Sequence, residues 1–167
     1  MAFEIPDNLH PDCGPVAWML GTWRGNGHGD YPTIDGFQFG QELIFTHDGR
    51  PFFHYFSRAW IVDEAGEKVR DAALETGFLR CRPEGRLELL LSHNTGFVEV
   101  WYGEAEPAKF ELSTDAVVRT ESAKEYVAGR RLYGLVEGDL LWVLDMAAVG
   151  HPLASHASAR LKRVPAA

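Results

Sequence analysis

GTWRGNGHGDYPT, residues 21–33, packs four glycines, a tryptophan and a Tyr-Pro pair into thirteen positions. A phosphate cradle, a flexible linker and a strand bent on purpose all use glycine this densely. A P-loop requires GxxxxGK[ST], and no lysine follows these glycines. A dinucleotide fingerprint requires a helix after its glycines, whereas Tyr31-Pro32 and Asp35-Gly36 follow here. The stretch therefore reads as a first strand, Thr22 to Asn26, running into a glycine-rich bend. Glycine within a strand marks a bulge, a corner, or a close approach of another group to the backbone. A barrel corner alone and a flat ligand lying on the Cβ-less backbone both fit that pattern.

Working outward, the dominant signal is short strands separated by turns. Glu42–Thr46 and Phe52–Phe56 flank His47-Asp48-Gly49-Arg50. Leu87–Leu91 and Phe97–Tyr102 flank Asn94-Thr95-Gly96, a hairpin signal. Phe110-Glu111-Leu112 alternates, and Leu132–Val136 and Leu140–Leu144 flank Glu137-Gly138-Asp139. About ten strands at a spacing of roughly 8–12 residues describe a meander. Only Gly14 to Leu20 reads as helical, a short segment with Val16, Ala17, Met19 and Leu20 to pack on the sheet. Many sequential antiparallel strands with almost no helix predict a closed up-and-down barrel, because closure removes exposed edges. Barrels of about eight strands are just filled by side chains or hold one small ligand, so about ten strands predict a ligand cavity.

The chain has 167 residues, which favours one domain over 1–167. Its apolar fraction of 46% suffices for a core, and its formal charge is −8. An acidic chain without a Lys/Arg cluster argues against nucleic acid and anionic membrane as partners. The start, MAFEIPDNLH, shows no signal peptide, and no apolar run approaches a membrane span. Cys13 and Cys81 match no zinc or haem-attachment spacing and read as reduced thiols of a cytoplasmic protein.

GTWRGNG fits GxWxGxG, and Tyr31-Pro32-Thr33-Ile34 extends it as YPTI. Glu75–Arg80 reads ETGFLR, and the closing segment Val149–Arg163 carries His156-Ala157-Ser158-Ala159-Arg160-Leu161-Lys162-Arg163, an HxxAxLxR pattern. Together these motifs, in order and at opposite ends of the chain, resemble the nitrobindins, a family of haem-binding ten-stranded β-barrels. Leu112-Ser113-Thr114 and Ala123-Lys124-Glu125 resemble two further stretches of that family. The resemblance implies ferric haem b held by His156 as proximal iron ligand, with Thr33 and Lys124 near the haem. It implies binding of nitric oxide and isomerisation of peroxynitrite to nitrate, in a monomer or homodimer. One departure stands out: Ala73 occupies the position where the family often has a distal histidine.

Strand parity poses a problem for His156. Ala159 and Leu161 share one face of the last strand, Arg160 and Lys162 the other, and His156 has the parity of the charged face. It reaches the interior only if the chain is still loop, or bulged, near Ala157-Ser158. A carbonyl of the loop Gly150 to Ser155 is the expected partner of its second ring nitrogen. The other histidines read as bystanders. His54 falls in an aromatic strand, His93 at a turn with a possible place on the pocket rim, His28 in the glycine bend, and His10, His47 and His151 beside turns. The acid pairs Asp63-Glu64 and Glu104/Glu106 read as solvated turn residues. The same barrel also suits a non-catalytic carrier of a fatty acid or other apolar ligand, with Arg58, Arg119 or Tyr126 for a head group, or a family member that has lost haem.

Overall fold

The computed structural model describes residues 2–166; Met1 and Ala167, the ends of the 1–167 span, lie outside the described residues. Ten antiparallel strands close into a barrel: β1 (Gly21–Tyr31), β2 (Ile34–Thr46), β3 (Phe52–Val62), β4 (Lys68–Cys81), β5 (Arg86–His93), β6 (Phe97–Glu106), β7 (Lys109–Arg119), β8 (Tyr126–Val136), β9 (Asp139–Ala148) and β10 (Ala154–Arg163). Each strand pairs with its sequence neighbours, and β10 returns to pair with β1. Turn chemistry fixes the registers. Between β8 and β9, Glu137 and Gly138 both take positive φ (53° and 82°), as a two-residue hairpin turn matching strand twist requires. Alternation then sorts the faces: Leu87, Leu89 and Leu91 of β5 are all buried inside. No helix among the described residues is long and apolar enough to cross a membrane.

One end of the barrel is closed by the N-terminal segment. The segment is a 3₁₀ helix over Pro11–Met19, starting before the expected Gly14. Its three-residue period places Cys13, Val16 and Met19 on one face, and all three are buried in the core. Pro15 lies inside it and cannot donate a backbone hydrogen bond. The Trp23 indole donates to the Met19 carbonyl at 2.8 Å. Arg163 donates to the carbonyls of Trp18 (2.6 Å) and Leu20, and its guanidinium lies 4.1 Å from the Trp23 ring centre. Cys13 and Cys81 are free and buried at this closed end.

Contrary to expectation, the glycines of residues 21–33 do not bend the chain after Asn26; β1 runs unbroken to Tyr31, with an irregularity only between Gly29 and Tyr31. Gly27 faces Phe39 across β1–β2, and Gly29 faces Phe37. A Cβ on either glycine would collide with the facing phenyl ring. A Cβ on Gly25 would collide with the Arg160 carbonyl of β10. What approaches these glycines is the protein itself: two aromatic rings laid over Cβ-less backbone, the device by which a phenyl group shields a glycine across a strand pair. Gly27→Val is expected to destabilise the barrel by about 1–3 kcal/mol through overpacking, read as a lower midpoint in denaturant unfolding. An unchanged midpoint would show the glycine to be incidental.

Candidate functional site

At the end opposite the 3₁₀ helix a cavity of about 580 Å³ opens between the turns. Ile34, Phe37, Phe39, Ala59, Ile61 and Leu144 give it apolar walls. His156, Lys124, Arg70 and Asp35 stand on its lining as polar or charged groups. The volume falls within the usual range for small-molecule and cofactor sites.

His156 reaches this cavity through a bulge. Ser155 pairs with Asp145 and Ala157 with Leu144, which leaves His156 as the extra residue between two consecutive partners. The parity conflict is thereby resolved, but by a bulge inside β10, since the strand begins at Ala154 and His156 is not in the preceding loop. The ring is pinned from an unexpected side as well. Nδ1 lies 3.0 Å from the backbone carbonyl of Asp30 in β1, not from one in residues 150–155. A carbonyl oxygen only accepts, so Nδ1 carries the proton and Nε2 keeps its lone pair. Tyr31 and Phe37 flank the ring, with centroids 5.9 and 6.3 Å away. Burial lowers the pKa of His156, and the charges of Lys124 and Arg131 push the same way; the Asp30 carbonyl and carboxylate oppose them. The imidazole is thus disposed to be neutral, the form that binds metals.

Tyr31 explains the YPTI motif structurally. Its hydroxyl accepts from the Ala148 amide (2.9 Å) and donates to the Met146 carbonyl (3.0 Å), tying the end of β1 to β9. Pro32 and Thr33 form the turn that follows. Thr33 is exposed in that turn, beside the cavity-lining Ile34 but not itself on the cavity wall. Lys124 and Ala73 do line the cavity, with Ala72 beside Ala73 where the β3–β4 register shifts. Neither Lys124 nor Arg70 takes part in an ion pair among the described residues; the nearby Lys68 is bound to Asp71 at 2.6 Å.

The inner end of the cavity holds a charge network of which the quoted motifs contain only Glu75, the first residue of ETGFLR. Arg131, 4% exposed, donates to Glu75 at 3.1 and 3.2 Å and to the Tyr133 hydroxyl at 3.0 Å. Its guanidinium lies 4.9 Å from the Trp101 ring centre. The Tyr55 hydroxyl donates to Glu75 at 2.7 Å. Burial works against the Glu75 charge, but Arg131, then His93, and the hydrogen bonds from Arg131 and Tyr55 outweigh it and hold the carboxyl at about 2. Burial likewise opposes the Arg131 charge, and Glu75 overrides it, raising the guanidinium well above its ordinary value. Next to this pair, buried Glu99 accepts from the Tyr126 hydroxyl at 2.6 Å and from His93. His93 therefore belongs to an internal network and does not line the cavity.

The remaining candidates lie elsewhere. His54 faces outward and bonds Thr76 Oγ1 at 3.1 Å. His28 lies exposed within β1, and His10 and His47 accept backbone N–H groups of their own turns. His151 packs edge-on against Tyr31 without lining the cavity. Glu104 and Glu106 are exposed but belong to β6, not to a turn. Arg58 is paired with Glu42 (3.0 Å), Arg119 bonds the Ala123 carbonyl, and Tyr126 bonds Glu99; none of the three lines the cavity.

Known proteins resemble the chain along most of its length. The family model for the THAP4-like, heme-binding beta-barrel domain matches residues 12–163. A protein of Nocardioides sp. named peroxynitrite isomerase is 77% identical over 163 residues, covering 98% of this chain and 99% of that one. A ferric nitrobindin-like protein of Streptomyces griseus is 43% identical, covering 96% of this chain and 86% of its own. Among solved structures, the crystal structure of Rv2717c from M. tuberculosis superposes with a TM-score of 0.85 at 34% identity, covering 94% of this chain and 99% of that one.

Proposed function

The chain belongs to the THAP4-like, heme-binding beta-barrel domain family, and on that premise we propose that it binds ferric haem b through His156 and isomerises peroxynitrite to nitrate. One observation carries the reading: the Nδ1–H of His156 is committed to the Asp30 carbonyl, leaving a bare Nε2 on a ring that lines an apolar cavity. A metal-ligating histidine is oriented in this way by a partner on its other nitrogen. The lining meets the remaining demands of a haem. Phenyl and aliphatic walls suit the macrocycle, and the cations Lys124 and Arg70 at the rim suit its two carboxylates, with Thr33 in the adjoining turn.

When bound, haem would supply a Lewis-acidic iron to a small ligand, nitric oxide among them. Peroxynitrite and nitrate contain the same atoms and the same charge, so their interconversion requires no oxidant and no net proton from the protein. That fits a cavity in which the charges of Glu75 and Arg131 are bound to each other. The work of the chain is to hold His156 neutral and fixed, to exclude water with Phe37, Phe39 and Ile61, and to draw an anion toward the mouth with Lys124 and Arg70. The names of relatives, peroxynitrite isomerase among them, support this choice of reaction. A fatty-acid carrier that placed its head group at the inner end of the cavity would need a free cation there, and Arg131 is bound to Glu75.

Hemin titrated into the purified protein is expected to give the Soret band of a histidine-ligated ferric haem, saturating at one haem per chain. A spectrum identical to free hemin would overturn the reading and favour the carrier.

A further inference from the structure

Resting on the haem reading, we propose that the Ser57 hydroxyl is a hydrogen-bond donor that the inner cavity offers to an oxygen atom of a small ligand, aimed by Trp142 and Gln41. The three side chains come from β3, β9 and β2 and all line the cavity. Trp142 Nε1 lies 2.7 Å from Gln41 Oε1, and Gln41 Nε2 lies 2.8 Å from Ser57 Oγ.

The direction of this chain follows from donor chemistry alone. An indole N–H can only donate, so the oxygen of the Gln41 amide must face Trp142. The amide nitrogen then faces Ser57, and because it too can only donate, Ser57 Oγ must accept. The Ser57 proton is left over. It finds no acceptor among the described residues, although the side chain is 3% exposed and Gln41 5%. A buried donor without a partner is costly, which argues that a partner arrives from the cavity. Successive donors pointing the same way also polarise one another and strengthen the last in line.

The other inner hydroxyls are not available. The Tyr55 proton is taken by Glu75 at 2.7 Å, and Tyr133 does not line the cavity. Ala73, on the same cavity lining, has nothing to donate. Ser57 thus supplies, from β3, the donor that Ala73 cannot supply from β4. Its matching ligands are oxyanions such as peroxynitrite or nitrite, and diatomics ending in oxygen.

The test uses hemin-reconstituted wild type, Ser57→Ala, Ser57→Thr and Trp142→Phe. Two signals are read: the infrared C–O stretch of the reduced carbon monoxide complex, and nitrite affinity of the ferric form by visible titration. Loss of a donor to the ligand oxygen raises the C–O stretch. Ser57→Ala is expected to shift it to higher wavenumber and to weaken nitrite roughly tenfold. Ser57→Thr keeps the hydroxyl and should match wild type. Trp142→Phe frees Gln41 to turn its oxygen onto Ser57 and capture the proton, so it should move both signals in the same direction as Ser57→Ala. The proposal is overturned if Ser57→Ala carries a wild-type Soret band with stretch and nitrite affinity unmoved. Should Ser57→Ala take up no hemin, an unmoved stretch in Trp142→Phe overturns it instead. A wild type that binds no hemin fails at the first spectrum, which marks failure of the haem reading itself and takes this inference with it.

Discussion

His156→Ala is expected to yield a folded barrel that no longer shows a histidine-ligated haem and no longer converts peroxynitrite to nitrate. The side chain is half-buried at the open end, away from the buried cluster of Trp23, Phe45, Phe53 and Trp101, so its removal should cost no more than about 1 kcal/mol of stability. The effect on haem is of another order. Loss of even the partner that orients a metal ligand costs about 10- to 100-fold in affinity, and loss of the ligand should exceed that. Neither of the other two histidines set in strands flanking β4 can replace it: His93 is bound into the Glu75–Glu99 network, and His54 points outward to Thr76. The Soret band on hemin titration, nitrate yield from peroxynitrite and the unfolding midpoint form the measurement. A wild-type Soret band in the variant would remove His156 from the site.

Arg131→Met should destabilise the barrel by about 3–5 kcal/mol, more than either Gly27→Val or His156→Ala, because it strands the Glu75 carboxylate without its counterion at the inner end of the cavity. Removing both charges should restore most of it, since a buried ion pair replaced by apolar groups of similar size is often neutral. The double variant Arg131→Met/Glu75→Leu is therefore expected to be more stable than Arg131→Met alone, by denaturant unfolding. If the single variant loses less than about 1 kcal/mol, the pair is not buried as described. Acid gives a second signature. The folded-state pKa of Glu75 is about 2, against 4.5 ordinarily. The unfolded chain therefore takes up the proton first as pH falls, and the contribution of Glu75 is fully present above 4.5 and lost between 4.5 and about 2. In Arg131→Met that part of the acid-unfolding curve should flatten.

The barrel was legible because its signals are local. Turn residues such as Glu137-Gly138 and alternation such as Leu87, Leu89, Leu91 each specify a hairpin or a face without help from distant residues. The glycines of β1 were legible as close-approach positions, but what approaches them, Phe37 and Phe39, is fixed by cross-strand register. His156 was visible through resemblance and nearly lost to parity, because a bulge shifts a side chain by one face without changing the composition of the strand. Arg131 was missed for a related reason. In β8 the apolar Val127 and Leu132 face out, 62% and 40% exposed, while Arg131 faces in, so a reader of polarity alone chooses the wrong face. Its partners Glu75 and Tyr55 lie 56 and 76 residues away, beyond the reach of any spacing rule. The directed chain of Trp142, Gln41 and Ser57 spans 101 residues and was invisible in the same way.

The 3₁₀ helix wedged under Trp23 and locked by Arg163 makes the barrel a blind vessel, not a conduit. Whatever enters leaves by the same door, so arrivals and departures queue at one threshold. A flat guest seated there would become a stopper, and the chamber behind it would admit only molecules small enough to slip past its edge. Lys124 and Arg70 stand on that threshold, so an anion would pass them twice, once inbound and once outbound.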